Sequence, residues 1–471
     1  MRRILFTASF LFAGSSSLVL AQQQIQARMG DPLPGLTPAQ IARFEAGKAV
    51  FDSTLTAATG LGPVFNETSC GSCHNTPVVG GSSAKFVTRF GKAASGPNPF
   101  DPLDALGGSL QQALSINSPS CDEIVPPQAD VTAHRLTPSA FGLGLVEAIL
   151  DGDILVNEAI PPAPGISGIA HEVGAFEDPP GSPLHVGRMG WKAQVATLLT
   201  FSADASLMEM GLTNRFVGQE NAPNGDLVRL AQCDLVADPE DGPDAQGFDQ
   251  IDRQRDFQRF LAPPPQTPRS GMAGEPLFNA IGCANCHLSS TMVAGPTAEP
   301  GIAGVVFKPY TDFLLHDMGS PASGGLGDGI VQGEGTENEL RTPSLWGLRA
   351  RSPGELLHDG RATGGTADQN VAAAILAHAG EATASRNAFA ALTAADQAKL
   401  FKFLDSLGRV EFDIEGNNNV DEIDWFFLQP LLAGPTPIYT PEDDAAVADF
   451  DQDGDFDLVD FGMMQRGFTG F

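Results

Sequence analysis

Cys70-Gly71-Ser72-Cys73-His74 and Cys283-Ala284-Asn285-Cys286-His287 are two copies of Cys-x-x-Cys-His, and their reading decides the architecture of this chain. In such a pentapeptide two thiols add across the vinyl groups of a haem, and the adjacent histidine becomes the proximal iron ligand. A single copy could arise by chance or as a fragment of a zinc site. Two copies use four of only six cysteines, so two covalently attached haem c groups are expected ahead of a zinc or redox-dithiol reading. The remaining pair, Cys121 and Cys233, is most simply a disulfide in an oxidising compartment.

Working outward, each motif follows a helical lead-in. Thr37-Pro38 opens a helix through Ile41, Phe44, Val50 and Phe51, with Thr37 as N-cap and proline at the first helical position. Gly274 to Ile281 leads into the second motif in the same way. Thr393-Ala394-Ala395-Asp396 starts a further helix through Leu400, Phe401, Leu404 and Leu407 that stops at Gly408. Helical character is also expected over Trp191 to Leu212, whereas Val78 to Asp130 lacks sustained periodicity and reads as loop over the first haem. The expected fold is mainly α: two cytochrome c-like domains with long loops, residues 30–250 and 251–410, plus a small α-helical module at 411–471. The 53 glycines and 36 prolines among 471 residues fit long ordered loops around a large cofactor.

Residues 1–21 read as a secretory signal, with Arg2-Arg3, an apolar run from Ile4 to Ala13 and a small-residue site ending at Ala21. No later apolar run reaches the roughly 20 residues of a membrane span. The expected location is therefore periplasmic or extracellular, where c-type haem is attached. A net charge of −30 makes nucleic acid an improbable partner.

The tail carries a second register. Asp449, Asp451, Asp453, Asp455, Asp457 and Asp460 occupy positions 1, 3, 5, 7, 9 and 12 of an EF-hand-type calcium loop, with Gly454 at position 6. Asp413, Glu415, Asn417, Asn419, Asp421 and Asp424 repeat the spacing more loosely, with Asn418 where glycine belongs, so that loop is expected to be weaker or empty. One or two Ca2+ are expected. The pair resembles a dockerin-type module, which implies calcium-dependent folding and leaves room for a cohesin-like protein partner.

Five further segments carry a family resemblance: Gly187 to Ala193, Glu209-Met210-Gly211-Leu212-Thr213, Leu314-Leu315-His316-Asp317-Met318-Gly319, Arg341 to Leu348, and Leu357-His358-Asp359-Gly360-Arg361-Ala362. In this order they resemble the di-haem c-type oxidoreductases, the thiol oxidoreductases or di-haem cytochrome c peroxidase-like proteins. The resemblance runs from about Leu36 to Gly408. It implies an oxidoreductase with a reactive first haem on His74, supplied with electrons by a second haem on His287. It also implies His378 as the ligand opposite His287, Glu209 as the distal acid that moves a proton, and Trp191 as an electron relay. A small redox protein would refill the second haem. His316 and His358 would support that haem through hydrogen bonds. No histidine follows His74 until His134, so either the first iron is open or His134 returns to cap it. An electron-transfer cytochrome with both irons closed, and oxidation of a protein partner, stay as alternatives.

Overall fold

A computed structural model describes residues 24–470 except 96, 97, 235, 298, 352, 353, 435 and 437. The expected signal segment, residues 1–21, lies outside the described residues. Helices account for 34% of the described residues, and the rest is long loops and small sheets.

Each attachment motif sits where a lead-in helix crosses a later helix. Helix Pro38–Asp52 starts at a capping box in which Thr37 and Gln40 exchange side-chain and backbone bonds. It packs on helix Gln250–Phe260. The backbones meet at Gly47, where a Cβ would lie 2.3 Å from the Arg253 carbonyl oxygen. Phe257 stacks against Phe44 and Phe51 with ring centroids 5.3 and 4.9 Å apart. Arg43 locks the crossing with two bonds to Asp256 (2.8 and 2.7 Å). Helix Gln250–Phe260 thus packs on the first motif's lead-in helix, although it lies past residue 250. In the second crossing, helix Gly274–Ala280 meets helix Ala394–Ser406 at Gly274, where a Cβ would lie 2.2 Å from the Lys399 carbonyl. Phe278, Tyr310 and Phe403 pack edge to face beneath it.

Two local expectations change. Residues 78–130 are not all loop: strand Phe86–Ser95 pairs antiparallel with Asn98–Asp101, Leu110–Gln111 and Val131–Leu136. Its longest pairing is with Val131–Leu136, far along the chain, so local periodicity carries little sign of it. The helix expected from Trp191 begins only at Leu198, because Gly190 and Ala193 take positive φ (77° and 52°) and Thr197 caps Leu198–Met210. Cys121 and Cys233 form a disulfide, with Cα atoms 6.0 Å apart.

The C-terminal segment is joined to the body. Phe412, Val420, Phe450, Phe456 and Met464 belong to one continuous apolar core with Phe44, Phe51 and Phe257. Gln26 and Arg269 both bond the Glu411 carboxylate, and Asn418 exchanges two hydrogen bonds with the Met29 backbone.

Candidate functional site: a cavity between two attachment motifs

The short helix Cys70–Cys73 is capped by Ser69, whose hydroxyl accepts from the Ser72 amide at 3.0 Å. Phe51 packs against the His74 ring at 5.7 Å, so the helix crossing sets the histidine's position. His74 donates Nδ1–H to the Gly81 carbonyl (3.0 Å), His287 to that of Tyr310 (3.0 Å) and His378 to that of Ala374 (2.8 Å). A carbonyl can only accept, so His287 and His378 keep a free Nε2 lone pair, as a metal-ligating histidine needs, while the His74 ring also meets the Pro138 carbonyl. His171 makes the same bond to Lys192 but accepts the Glu334 amide at its other nitrogen, so it is spent.

His74, His287 and His378 line one continuous cavity of about 290 Å³, walled mostly by apolar side chains such as Phe141, Leu143, Phe313 and Trp346. Burial holds all three imidazoles below their usual range. His287 falls to about 4, with His378 close enough to add a second downward push. The cavity passes Cys283 and Cys286. Burial drives the thiols of Cys70, Cys73 and Cys283 up to about 12 and that of Cys286 upward as well. An apolar cavity lined by Cys283, Cys286, His287 and His378 fits a haem at the second motif, and His74 brings the first motif to the same cavity.

Trp191 is on the wall of the same cavity, 9% exposed, with its indole N–H donated to the Leu136 carbonyl at 2.9 Å. Its ring meets His358 edge-on at 6.0 Å. Glu209 does not line this cavity. It sits near enough to Cys70 and Cys73 for its charge to be felt there, and its carboxylate accepts from Asn66 at 2.8 Å. Burial raises its proton affinity, against the pull of Asn66 and Arg89.

The other histidines divide sharply. In strand Val131–Leu136 exposure alternates, so Arg135 turns inward and His134 turns out to solvent, against Phe86 and Thr88. The alternative in which His134 caps the first iron is therefore set aside. His316 has both nitrogens engaged, Nε2 with Asp312 (2.9 Å) and Nδ1 with Glu381 (2.6 Å). Burial alone would lower it, yet Asp312, Cys286 and Glu381 hold it charged, at about 12. His316 lies 3.9 Å from Cys286 Sγ, so it braces the second motif without a nitrogen to spare for iron. His358 is buried and lines the cavity, with Nδ1 unbonded and its basicity depressed to about 4 by burial.

Sequence reading missed a buried charge cluster beside Trp191. Asp328 takes Arg135 at 2.8 Å and Lys192 at 3.2 Å, and all three side chains are nearly inaccessible. Lone acids and bases scattered over 190 residues carry no local signal of such a cluster.

The tail loops repeat one geometry. Asp449 accepts from the amides of Asp453 and Gly454, and Asp460 from those of Phe450 and Asp457. Asp413 and Asp424 do the same with Asn417, Asn418, Ile414 and Asp421. Asn418, in glycine's place, adopts φ +70°. Carboxylate oxygens of Asp449, Asp451 and Asp460 lie within 4.8 Å of one another, as do those of Asp455, Asp457 and Asp460. Asp455 is 8% exposed and its Oδ1 has no protein donor. Asp460 is raised to about 6 by burial and by its acidic neighbours. The second loop thus has the donor set of a hard cation.

A family model described as di-haem oxidoreductase, putative peroxidase, matches residues 125–407. The chain belongs to this di-haem oxidoreductase family, which implies two haems. The first attachment motif lies upstream of the matched segment. Among solved structures, the chain is similar to hydrazine synthase of Kuenenia stuttgartiensis, pressurised with xenon (13% identity, 86% of this chain and 100% of that chain, TM-score 0.32). It is also similar to a MauG-like protein associated with microbial copper homeostasis (15% identity, 84% and 95%, TM-score 0.33). At such TM-scores neither likeness defines a shared fold. No curated protein matches the chain. Among the described residues, no helix is long and apolar enough to cross a membrane.

Proposed function

We infer that the chain is an exported di-haem c-type oxidoreductase with peroxidase-like chemistry, its haems joined through Cys70 and Cys73 and through Cys283 and Cys286. The observation that carries this reading is the single cavity onto which His74, His287 and His378 all face, with Trp191 on its wall. When bound, haem supplies one-electron and peroxide chemistry that side chains lack. His287 and His378 would hold one haem, and His74 the other. Glu209, with its proton affinity raised by burial, can hold a proton beside the first motif and return it. Trp191, held on the cavity wall by its bond to Leu136, would relay an electron between the two haems. A small redox protein acts as the external electron donor.

His134 as a distal ligand would favour the electron-carrier alternative, and its outward position withdraws that support. We assign residues 1–21 as signal, the haem domains to 30–250 and 251–410, and the calcium module to 411–471. The module binds Ca2+ through Asp449, Asp451, Asp453, Asp455 and Asp460, and more weakly through Asp413, Asn417 and Asp424. Its exposed Ile423, Phe426, Leu458 and Val459 suit a cohesin-like protein partner. The deciding experiment is low-temperature EPR on fully oxidised and half-reduced holoprotein. A high-spin ferric signal in either state identifies an open iron and an enzyme. Low-spin signals throughout would leave an electron carrier.

A further inference from the structure

Arg341 ends the strand Glu339–Arg341 and lines the cavity together with Gly190 and Trp191. It is 8% exposed. Nε donates to the Gly190 carbonyl at 2.8 Å and Nη1 to the Thr342 carbonyl at 2.9 Å. Neither carbonyl supplies a full counter-charge. Asp312, the acid whose field it feels, is committed to His316. On and beside the same wall, Arg188 pairs with Asp151, and Arg135 and Lys192 share Asp328, whereas Arg409, which does not line the cavity, bonds only the Asp444 carbonyl. A buried charge without a partner is costly enough that proteins seldom keep one. Arg341 therefore calls for an anion from within the cavity.

Its place in the fold says which anion. Arg341 pairs with Leu315 across the two-stranded sheet, next to His316 against Cys286 Sγ, and its own amide donates to the Trp191 carbonyl at 2.9 Å. It thus stands between Trp191 and the second attachment motif. Haem carries two propionate carboxylates, and a guanidinium fork matches a carboxylate in shape and charge. We propose that Arg341 is the counter-cation for a propionate of the haem at Cys283–His287, a positioning residue that holds that haem edge toward Trp191. This rests on the second motif carrying haem.

The test compares holoprotein Arg341→Gln and Arg341→Lys with the parent. A pyridine-haemochrome count comes first: fewer than two haems in the parent defeats the underlying reading and not the pairing. Spectroelectrochemistry then gives each haem's midpoint. Loss of a positive charge near the iron stabilises the ferric state. Arg341→Gln should therefore move the second haem's ferric/ferrous ratio at fixed potential about tenfold toward ferric, which is about 59 mV for one electron. The first haem should move less than about twofold. Arg341→Lys should restore most of the shift. An unmoved second midpoint, equal shifts of both haems, or equal shifts in both variants overturns the proposal. Should Arg341→Gln fail to mature, Arg341→Lys decides: a midpoint within about twofold of the parent supports it, and a tenfold shift overturns it.

Discussion

Asp328→Asn probes the charge cluster that ties Val131–Leu136 to the loop carrying Trp191. Asp328 Oδ2 accepts from Arg135 Nε at 2.8 Å, and Oδ1 lies 3.2 Å from Lys192 Nζ, with 1% of its side chain accessible. At an effective dielectric near 20, a pair at such a distance is worth roughly 5 kcal/mol before desolvation. Removing the acid strands two buried cations, and breaking buried pairs in this way costs about 3–5 kcal/mol. Part of the loss should depend on pH. Burial already lowers Lys192 to about 8, and Asp328 is the largest influence raising it. Without Asp328 the folded-state affinity for this proton falls further, while the unfolded chain keeps the proton until about pH 10.4. In that window the unfolded state binds more protons, so stability rises with pH. The deficit of Asp328→Asn relative to the parent should be largest near pH 6 and shrink toward pH 9. Arg135 stays charged, so it should not vanish. Urea unfolding of both holoproteins at pH 6, 7.5 and 9 measures this. A deficit below about 1 kcal/mol at pH 7.5, or one that does not change with pH, would refute the reasoning.

Glu209→Gln should abolish peroxide turnover while both haems stay bound; unchanged turnover removes Glu209 from the chemistry. Chelating Ca2+ should lower the thermal midpoint of the whole chain in calorimetry, because Phe412 and Phe450 share a core with Phe44 and Phe257. A separate low-temperature transition with the main one unmoved would instead show an uncoupled module. Replacing Cys121 and Cys233 together by alanine should cost about 3–5 kcal/mol in denaturant unfolding, since the bond closes a loop of 112 residues. A loss under 1 kcal/mol would mean that other contacts already restrain that loop.

Much of the site is legible because haem attachment is a local code. Two thiols and a histidine must lie within five residues to meet one porphyrin edge, so Cys70 to His74 and Cys283 to His287 declare themselves without tertiary information. The lead-in helix Pro38–Asp52, with its Thr37 cap, is local for the same reason. The proposed calcium loops are also read from spacing, since one loop must wrap one ion. The sheet around Phe86–Ser95 was not legible, because its hydrogen bonds go to strands as distant as Val131–Leu136.

By itself the sequence carried the cofactor class, the two proposed attachment points, the acidic register of the tail and the family resemblance. These rest on covalent and short-range demands that neighbouring residues satisfy among themselves. Only the tertiary structure decided which histidines could serve: His378 shares a cavity wall with His287, His134 faces solvent, and His316 is consumed by Asp312 and Glu381. It alone showed that Arg341 is a buried cation matched only by carbonyls, and that Asp328 answers two others. The reason is that burial and charge pairing depend on which distant segments are brought together, and no local pattern records that.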